Sequence, residues 1–465
     1  MKTISKVLLA IAGVAVVAAV TYRAVNTAPS EQLSPNERML AILEDGGCAE
    51  CHVANPDLPF YANFPIVKNV ITKDIVDGYK AFDITPVIES INNNQLINEV
   101  DLAKMEKTIL DGTMPLAKYY LVHWGSQLTR PKTNISLDWI RDHRIQFYPN
   151  ALASAEFANE TIRPIPDAVE YDEAKAKLGE LLYHDTRLSA DGSISCATCH
   201  GINTGGVDNL QFSEGIGSQF GGVNAPTVYN AFFNFVQFWD GRAADLAEQA
   251  AGPPLNPVEM GCETFDEIVA RLQDDKNFVK SFRAAYPEGL SQETITDAIA
   301  EYEKTLITPN SAFDRYLKGD LEALTPDQIK GFNLFKKYDC ATCHSGVNMG
   351  GLTYELMGKR EDYFLERQEI RNVGLTDGDN GRWAQTGVER DRYRFKTPTL
   401  RNIELTYPYY HDGSIATLEE AVRLMARYEV GVKLNDEKVN LITAFLKTLN
   451  GELHGQPLTN DNMAN

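Results

Sequence analysis

Six of the seven cysteines fall in three copies of one pentapeptide: Cys48-Ala-Glu-Cys51-His52, Cys196-Ala-Thr-Cys199-His200 and Cys340-Ala-Thr-Cys343-His344. Two thiols three residues apart face the same side of a helical turn. Both can add to the vinyl groups of one porphyrin, and the adjoining histidine is then held beneath the iron as its proximal ligand. A zinc ribbon would set two C-x-x-C knuckles roughly 15 to 20 residues apart, and a redox dithiol needs no histidine beside it. The threefold recurrence therefore predicts three covalently bound haem c groups. Their attachment points are Cys48 and Cys51, Cys196 and Cys199, and Cys340 and Cys343, with His52, His200 and His344 as proximal ligands. The seventh cysteine, Cys262, reads as a quiet buried thiol, with an intermolecular disulfide as the alternative.

The motifs set the organisation. In 465 residues they recur about once per domain length of roughly 150 residues. Ser34-Pro35-Asn36-Glu37 reads as a capping box with proline at the first helical position, and Thr325-Pro326-Asp327-Gln328 repeats the device. An amphipathic helix is expected over 172–182, irregular chain over 201–224, and little strand alternation anywhere. The fold class expected is mainly α, with three c-type cytochrome domains and long haem-wrapping loops. The expected boundaries are 31–155 for an amino-terminal monohaem domain, 165–310 for a second haem domain and 311–465 for a third. A linker is expected over 150–167, where Ile162-Arg163-Pro164-Ile165-Pro166 would run extended. The helical stretch over 294–306 should join the last two domains into one rigid unit.

Residues 1–30 stand apart. Lys2 and Lys6 precede an apolar run from Val7 to Val20, Arg23 closes it, and no acid appears before Glu31. That is an export signal, and without a clean processing site it reads as an uncleaved anchor, a single transmembrane helix, with a cleaved signal as the alternative. Basic residues at its start place that end in the cytoplasm and the haem domains in the periplasm, held to the inner membrane. The net charge of −20 argues against nucleic acid as a partner, because phosphates call for a basic face.

What a haem does depends on its sixth ligand: a second strong ligand makes an electron relay, an open position permits peroxide chemistry. Spacing alone does not choose among the remaining histidines (His123, His143, His184, His411 and His454) or the nine methionines. Several stretches do carry a resemblance. They are 188–196 (Leu-Ser-Ala-Asp-Gly-Ser-Ile-Ser-Cys), Asn224-Ala225-Pro226-Thr227, Phe238-Trp239-Asp240-Gly241-Arg242, 252–260 ending in Pro257-Val258-Glu259-Met260, and Thr397-Pro398-Thr399-Leu400-Arg401-Asn402 leading into His411-Asp412-Gly413-Ser414. From residue 165 to residue 449 the chain resembles the bacterial dihaem cytochrome c peroxidases. With the extra haem section and anchor, it resembles their triheme subgroup described as quinol peroxidases.

The resemblance implies roles. The haem on His200 would be the peroxidatic centre and the haem on His344 the high-potential relay, with Met425 as its distal ligand. Gln249 and Glu259 would be the catalytic pair. Splitting hydrogen peroxide needs a proton moved from one oxygen to the other so that water can leave, a task for a carboxylate beside an orienting amide. Trp239 would lie between the two haems, and Arg242 would pair with a propionate. Met114 would ligate the first haem opposite His52, with His123 as the competitor. One calcium ion would be held by the Asn224 side chain and the carbonyls of Thr406 and Pro408.

One departure from the family is informative. Many members block the resting peroxidatic haem with a histidine sixteen residues after the proximal one. Ile216 stands there, and no histidine occurs between His200 and His344, so the site is expected to be open when oxidised. The expected function is reduction of hydrogen peroxide to water with electrons from membrane quinol, passed from the first haem to the third and then to the second. A soluble cytochrome c or cupredoxin donor is the alternative. A non-catalytic triheme carrier is another, disfavoured by the open site.

Overall fold

The structure is a computed structural model that describes residues 2–120, 122–370 and 373–460; the side chains at 2–5, 7, 9, 10 and 66 lie outside the described set. The chain divides into two compact units, Met1–Pro149 and Asn150–Asn465. The element content is mainly helical, as the sequence leads one to expect. Among the described residues the only strands form two short antiparallel ribbons, Tyr354–Leu356 with Arg394–Lys396 and Glu452–Leu453 with Gln456–Pro457.

The first unit opens with the helix Lys2–Val25. Its described apolar side chains from Leu8 to Val20 face outward, with Leu8, Ile11, Val14, Val16, Val17 and Val20 at 60–70% exposure. Among the described residues no helix is long and apolar enough to cross a membrane, and part of the expected anchor lies outside them. Asn26 closes the helix, donating to the Tyr22 carbonyl (2.9 Å) and to that of Trp124. The Ser34 capping box then forms as read, with Ser34 N donating to Glu37 at 2.7 Å. Met39, Leu43, Val87, Ile91, Leu102, Trp139 and Ile140 make the core of this unit.

The second unit holds the other two motifs around two apolar clusters. Each is built on a close helix crossing that only glycine permits. Helix Glu173–Tyr183 meets Gln292–Lys304 at Gly179, where a Cβ would lie 1.8 Å from the Ala298 carbonyl oxygen. Helix Pro326–Lys337 meets Asp436–Leu446 at Gly331, where a Cβ would lie 2.0 Å from that of Leu441. Any side chain there would push the helices apart and open the core.

Residues 150–167 are not a linker. Phe157, Ile162 and Ile165 are buried, Ser154 N donates to the Leu317 carbonyl, and Arg163 N to that of Gly346. The clamp is the fully buried pair Arg401–Asp314 at 2.9 Å. Arg401 also donates to the carbonyls of Arg163 and Val347, and Asp314 accepts from Ile165 N. Residues 163–166 carry no helix or turn and Ile162 bridges Gly346, in keeping with the X-Pro pattern; the buried ion pair makes the segment part of the core.

Candidate active site

All three motifs share one turn. The backbone N–H of His52, His200 and His344 donates to the carbonyl of Cys48, Cys196 and Cys340 respectively, each at 3.0 Å. The six cysteines are free thiols, and burial pushes those of Cys48, Cys196 and Cys340 up to about 12. The imidazoles are oriented by carbonyls. His52 Nδ1 donates to Phe82 O and His344 Nδ1 to Met349 O, both at 3.0 Å. That leaves Nε2 of each unprotonated, the tautomer that a metal ligand needs. His200 is pinned through its own carbonyl by the Tyr183 hydroxyl at 2.6 Å. Burial lowers the pKa of both His200 and His344, favouring neutral rings. Paired thiols without disulfides beside an imidazole, carbonyl-oriented at His52 and His344 and buried with Nδ1 unpartnered among the described residues at His200, fit covalent haem c.

Around the second motif the distal residues converge on one turn. Asp245 caps the helix Leu246–Leu255, which carries Gln249, half-buried and with no side-chain partner among the described residues. The helix ends at Asn256, whose amide donates to Glu259 Oε1 at 2.7 Å. Burial raises the Glu259 pKa, while Arg242 and Asn256 restrain it. The loop that would carry a blocking histidine is docked on this turn. Ile216 N donates to Glu259 O at 2.8 Å, and a Cβ on Gly215 would lie 2.0 Å from the Val258 carbonyl oxygen.

Trp239 bridges neighbouring segments: its indole donates to the Asn224 carbonyl and its own carbonyl accepts from Lys396 N, both at 2.8 Å. Arg242, the expected propionate partner, pairs with Asp240 at 3.1 Å and lies over the Phe238 ring at 3.4 Å. Met425 ends the helix Leu418–Met425, and a π-helical turn, Ala426–Val430, follows at once. In the first unit Met114 is 36% exposed. Its competitor His123 has both ring nitrogens engaged, Nδ1 with Tyr119 O (3.1 Å) and Nε2 with the Tyr61 hydroxyl (2.5 Å). His143 accepts from Ile97 N, and His411 is buried against Asp379 at 2.8 Å.

Asn224 donates its amide to Leu210 O at 2.9 Å and Gln211 O at 3.4 Å, and among the described residues its Oδ1 has no hydrogen-bond partner. Thr406 and Pro408 lie nearby in sequence to Tyr407, whose carbonyl accepts from Asn209. No group of three or more His, Cys, Asp or Glu that could hold a metal occurs among the described residues. Cys262 is buried, its sulfur 2.9 Å from Arg271 Nη2, which removes the intermolecular disulfide from consideration in the folded chain.

Among the buried charged side chains that the sequence pattern does not announce are Lys396 and Glu303. Glu303 is 5% exposed and burial raises its pKa to about 8. It stands four and eight residues after the core positions Ile299 and Ile295, so a carboxylate on an apolar helix face was the available signal. Between pH 4.5 and 8 the unfolded chain has lost this proton and the folded chain keeps it, so stability falls as pH rises. Glu303→Gln should stabilise the protein at pH 7 by on the order of 3 kcal/mol and flatten that slope. Denaturant unfolding at pH 5 and pH 8 checks this; a gain equal at both pH values would refute it.

The sequence pattern of the family "Di-haem cytochrome c peroxidase" matches residues 173–322, and that of "Haem-binding domain" matches residues 7–142. Cytochrome c peroxidase Ccp of Escherichia coli (strain K12) is 45% identical over 420 residues, 90% of this chain and 89% of its own. Cytochrome c551 peroxidase of Nitrosomonas europaea is 46% identical over 305 residues, 65% of this chain and 87% of its own. Among solved structures, a MauG-like protein associated with microbial copper homeostasis superposes with TM-score 0.54 at 28% identity, covering 62% of this chain and 93% of that one. A relative matched along nearly its whole length, together with the motif turns and the Glu259 site, places the chain in the family of bacterial dihaem cytochrome c peroxidases, haem enzymes that reduce peroxide.

Proposed function

We propose that the chain is a triheme peroxidase of the periplasm, anchored in the inner membrane by the helix Lys2–Val25, that reduces hydrogen peroxide with electrons from membrane quinol. Electrons would enter at the Cys48–His52 motif, pass to the Cys340–His344 motif and reach the Cys196–His200 motif. The observation that carries the catalytic part is the docking of residues 214–220 on the Glu259 turn, with Ile216 where a blocking histidine would be. The anchor reading draws on the outward-facing apolar side chains of the first helix, about 36 Å long by its 24 residues. Such a surface calls for an apolar cover.

A haem bound at Cys196, Cys199 and His200 supplies the Lewis-acid and redox chemistry. Glu259 takes the proton from one peroxide oxygen and returns it to the other, completing H2O2 + 2e− + 2H+ → 2H2O. Gln249 holds the peroxide by its amide. Met425 and Met114 are the distal ligands proposed for the third and first haems, Met114 being favoured because both nitrogens of His123 are already used. Asn224 Oδ1, with the carbonyls of Thr406 and Pro408, suits one calcium ion, a hard cation that prefers oxygen.

The oxidised protein should contain a high-spin haem and reach its full rate from the first turnover without pre-reduction. Ile216→His should introduce a lag that pre-reduction removes. An all-low-spin resting spectrum with a lag in the unaltered protein would overturn the open-site reading. A soluble donor is the second reading, favoured by relatives named cytochrome c551 peroxidase. Turnover of the full chain with a reduced quinol analogue against a reduced soluble cytochrome decides between them.

A further inference from the structure

Lys396 is 5% exposed and lies on the strand Arg394–Lys396. Among the described residues no carboxylate, carbonyl or hydroxyl meets its ammonium, and burial alone pulls its pKa down to about 8. A buried ammonium without a partner costs several kcal/mol, and buried charges in folded proteins are paired. The neighbours explain why no protein group answers it. Phe395 stacks on His411 at 4.2 Å, and Lys396 pairs in register with Tyr354 across the ribbon.

Its position names the missing anion. The Lys396 backbone N–H is bonded to Trp239, between the second and third haem sections. Two residues on, the Pro398 carbonyl faces the His344 imidazole. Haem c brings only two anionic groups of its own, the propionates. Of the other cations beside Trp239, Arg242 pairs with Asp240 and lies over Phe238, and Arg382 donates to the carbonyls of Asp240 and Gly241. We propose that Lys396 forms a desolvated ion pair with a propionate of the haem on His344 and that its charge raises the reduction potential of that haem. The proposal rests on the reading of that haem as the relay. A cation held in a dry site beside the porphyrin stabilises the electron added on reduction, with little screening by salt.

The test is a spectroscopically followed redox titration of the purified holoprotein. Lys396→Met should lower the reduction equilibrium constant of one haem at least tenfold, about 59 mV for a one-electron couple. Lys396→Arg should hold it close to the unaltered value. Lys396→Gln replaces the methionine variant if that variant loses haem. Infrared difference spectra should show a propionate carboxylate band that moves in Lys396→Met and stays in Lys396→Arg. Met425→Ala marks the relay haem independently, through the fall in potential that follows loss of a thioether ligand. Shifts of the same haem by Met425→Ala and Lys396→Met support the proposal. Unchanged potentials in Lys396→Met overturn it. If the two substitutions move different haems, the pairing proposal falls while the relay reading stands. If Met425→Ala moves no haem, the relay reading falls and the proposal with it.

Discussion

Glu259→Gln should keep the haem content of the protein and lower peroxide turnover by about 10² to 10⁴-fold, the usual contribution of a positioned acid–base group. Glutamine preserves the volume of the side chain and can still face the Asn256 amide, so the turn and the docked 214–220 loop should persist. What is lost is the ability to take up a proton. Because burial raises the Glu259 pKa, the acid limb of the pH–rate profile should lie above the ordinary glutamate value, and it should vanish in the variant. Gln249→Ala should cost less, since a haem held at Cys196, Cys199 and His200 would also help to position the peroxide. Steady-state rates with a small-molecule donor, beside pyridine haemochrome quantification, measure both. A loss below roughly tenfold in Glu259→Gln would mean that another group carries the proton.

The parts of the fold that were legible in the sequence are those decided within a few residues. The three C-x-x-C-H turns and the capping boxes at Ser34 and Thr325 depend on partners at most four positions away. The burial of residues 150–167 does not. Arg401, which donates to the Arg163 carbonyl of that segment, is more than two hundred residues downstream. Ile162-Arg163-Pro164-Ile165-Pro166 has the same composition whether it spans solvent or crosses a core. Lys396 gave no warning because all three residues of its strand are buried, so no alternation marked the inward side. The helix crossings at Gly179 and Gly331 were silent as well, since an isolated glycine in a helix reads as a mild cost rather than as a contact.

Removal of residues 1–149 should separate peroxide chemistry from electron entry. The cut belongs at Asn150, because Phe157, Ile162 and Ile165 are core residues of the second unit and Glu160 pairs with Lys336 at 2.9 Å. A cut at 165 would remove those side chains, and large buried apolar groups cost about 2 to 5 kcal/mol each when truncated. The shortened chain keeps both apolar clusters, the Arg401–Asp314 pair and the Glu259 turn. Its length is also close to the 305 residues over which the Nitrosomonas europaea cytochrome c551 peroxidase matches this chain along 87% of its own length. It should therefore fold, bind two haems and turn over peroxide with a small-molecule reductant near the full-length rate. Turnover driven by a reduced quinol analogue in membranes should collapse, since the proposed anchor and the Cys48–His52 motif have gone together. Met114→Ala in the full chain separates these two losses. It keeps the anchor, and by lowering the potential of the first haem it should depress quinol-driven turnover while sparing the small-molecule donor. A shortened chain that still accepts electrons from quinol at the full-length rate would place electron entry at the third motif and end the anchored-quinol reading.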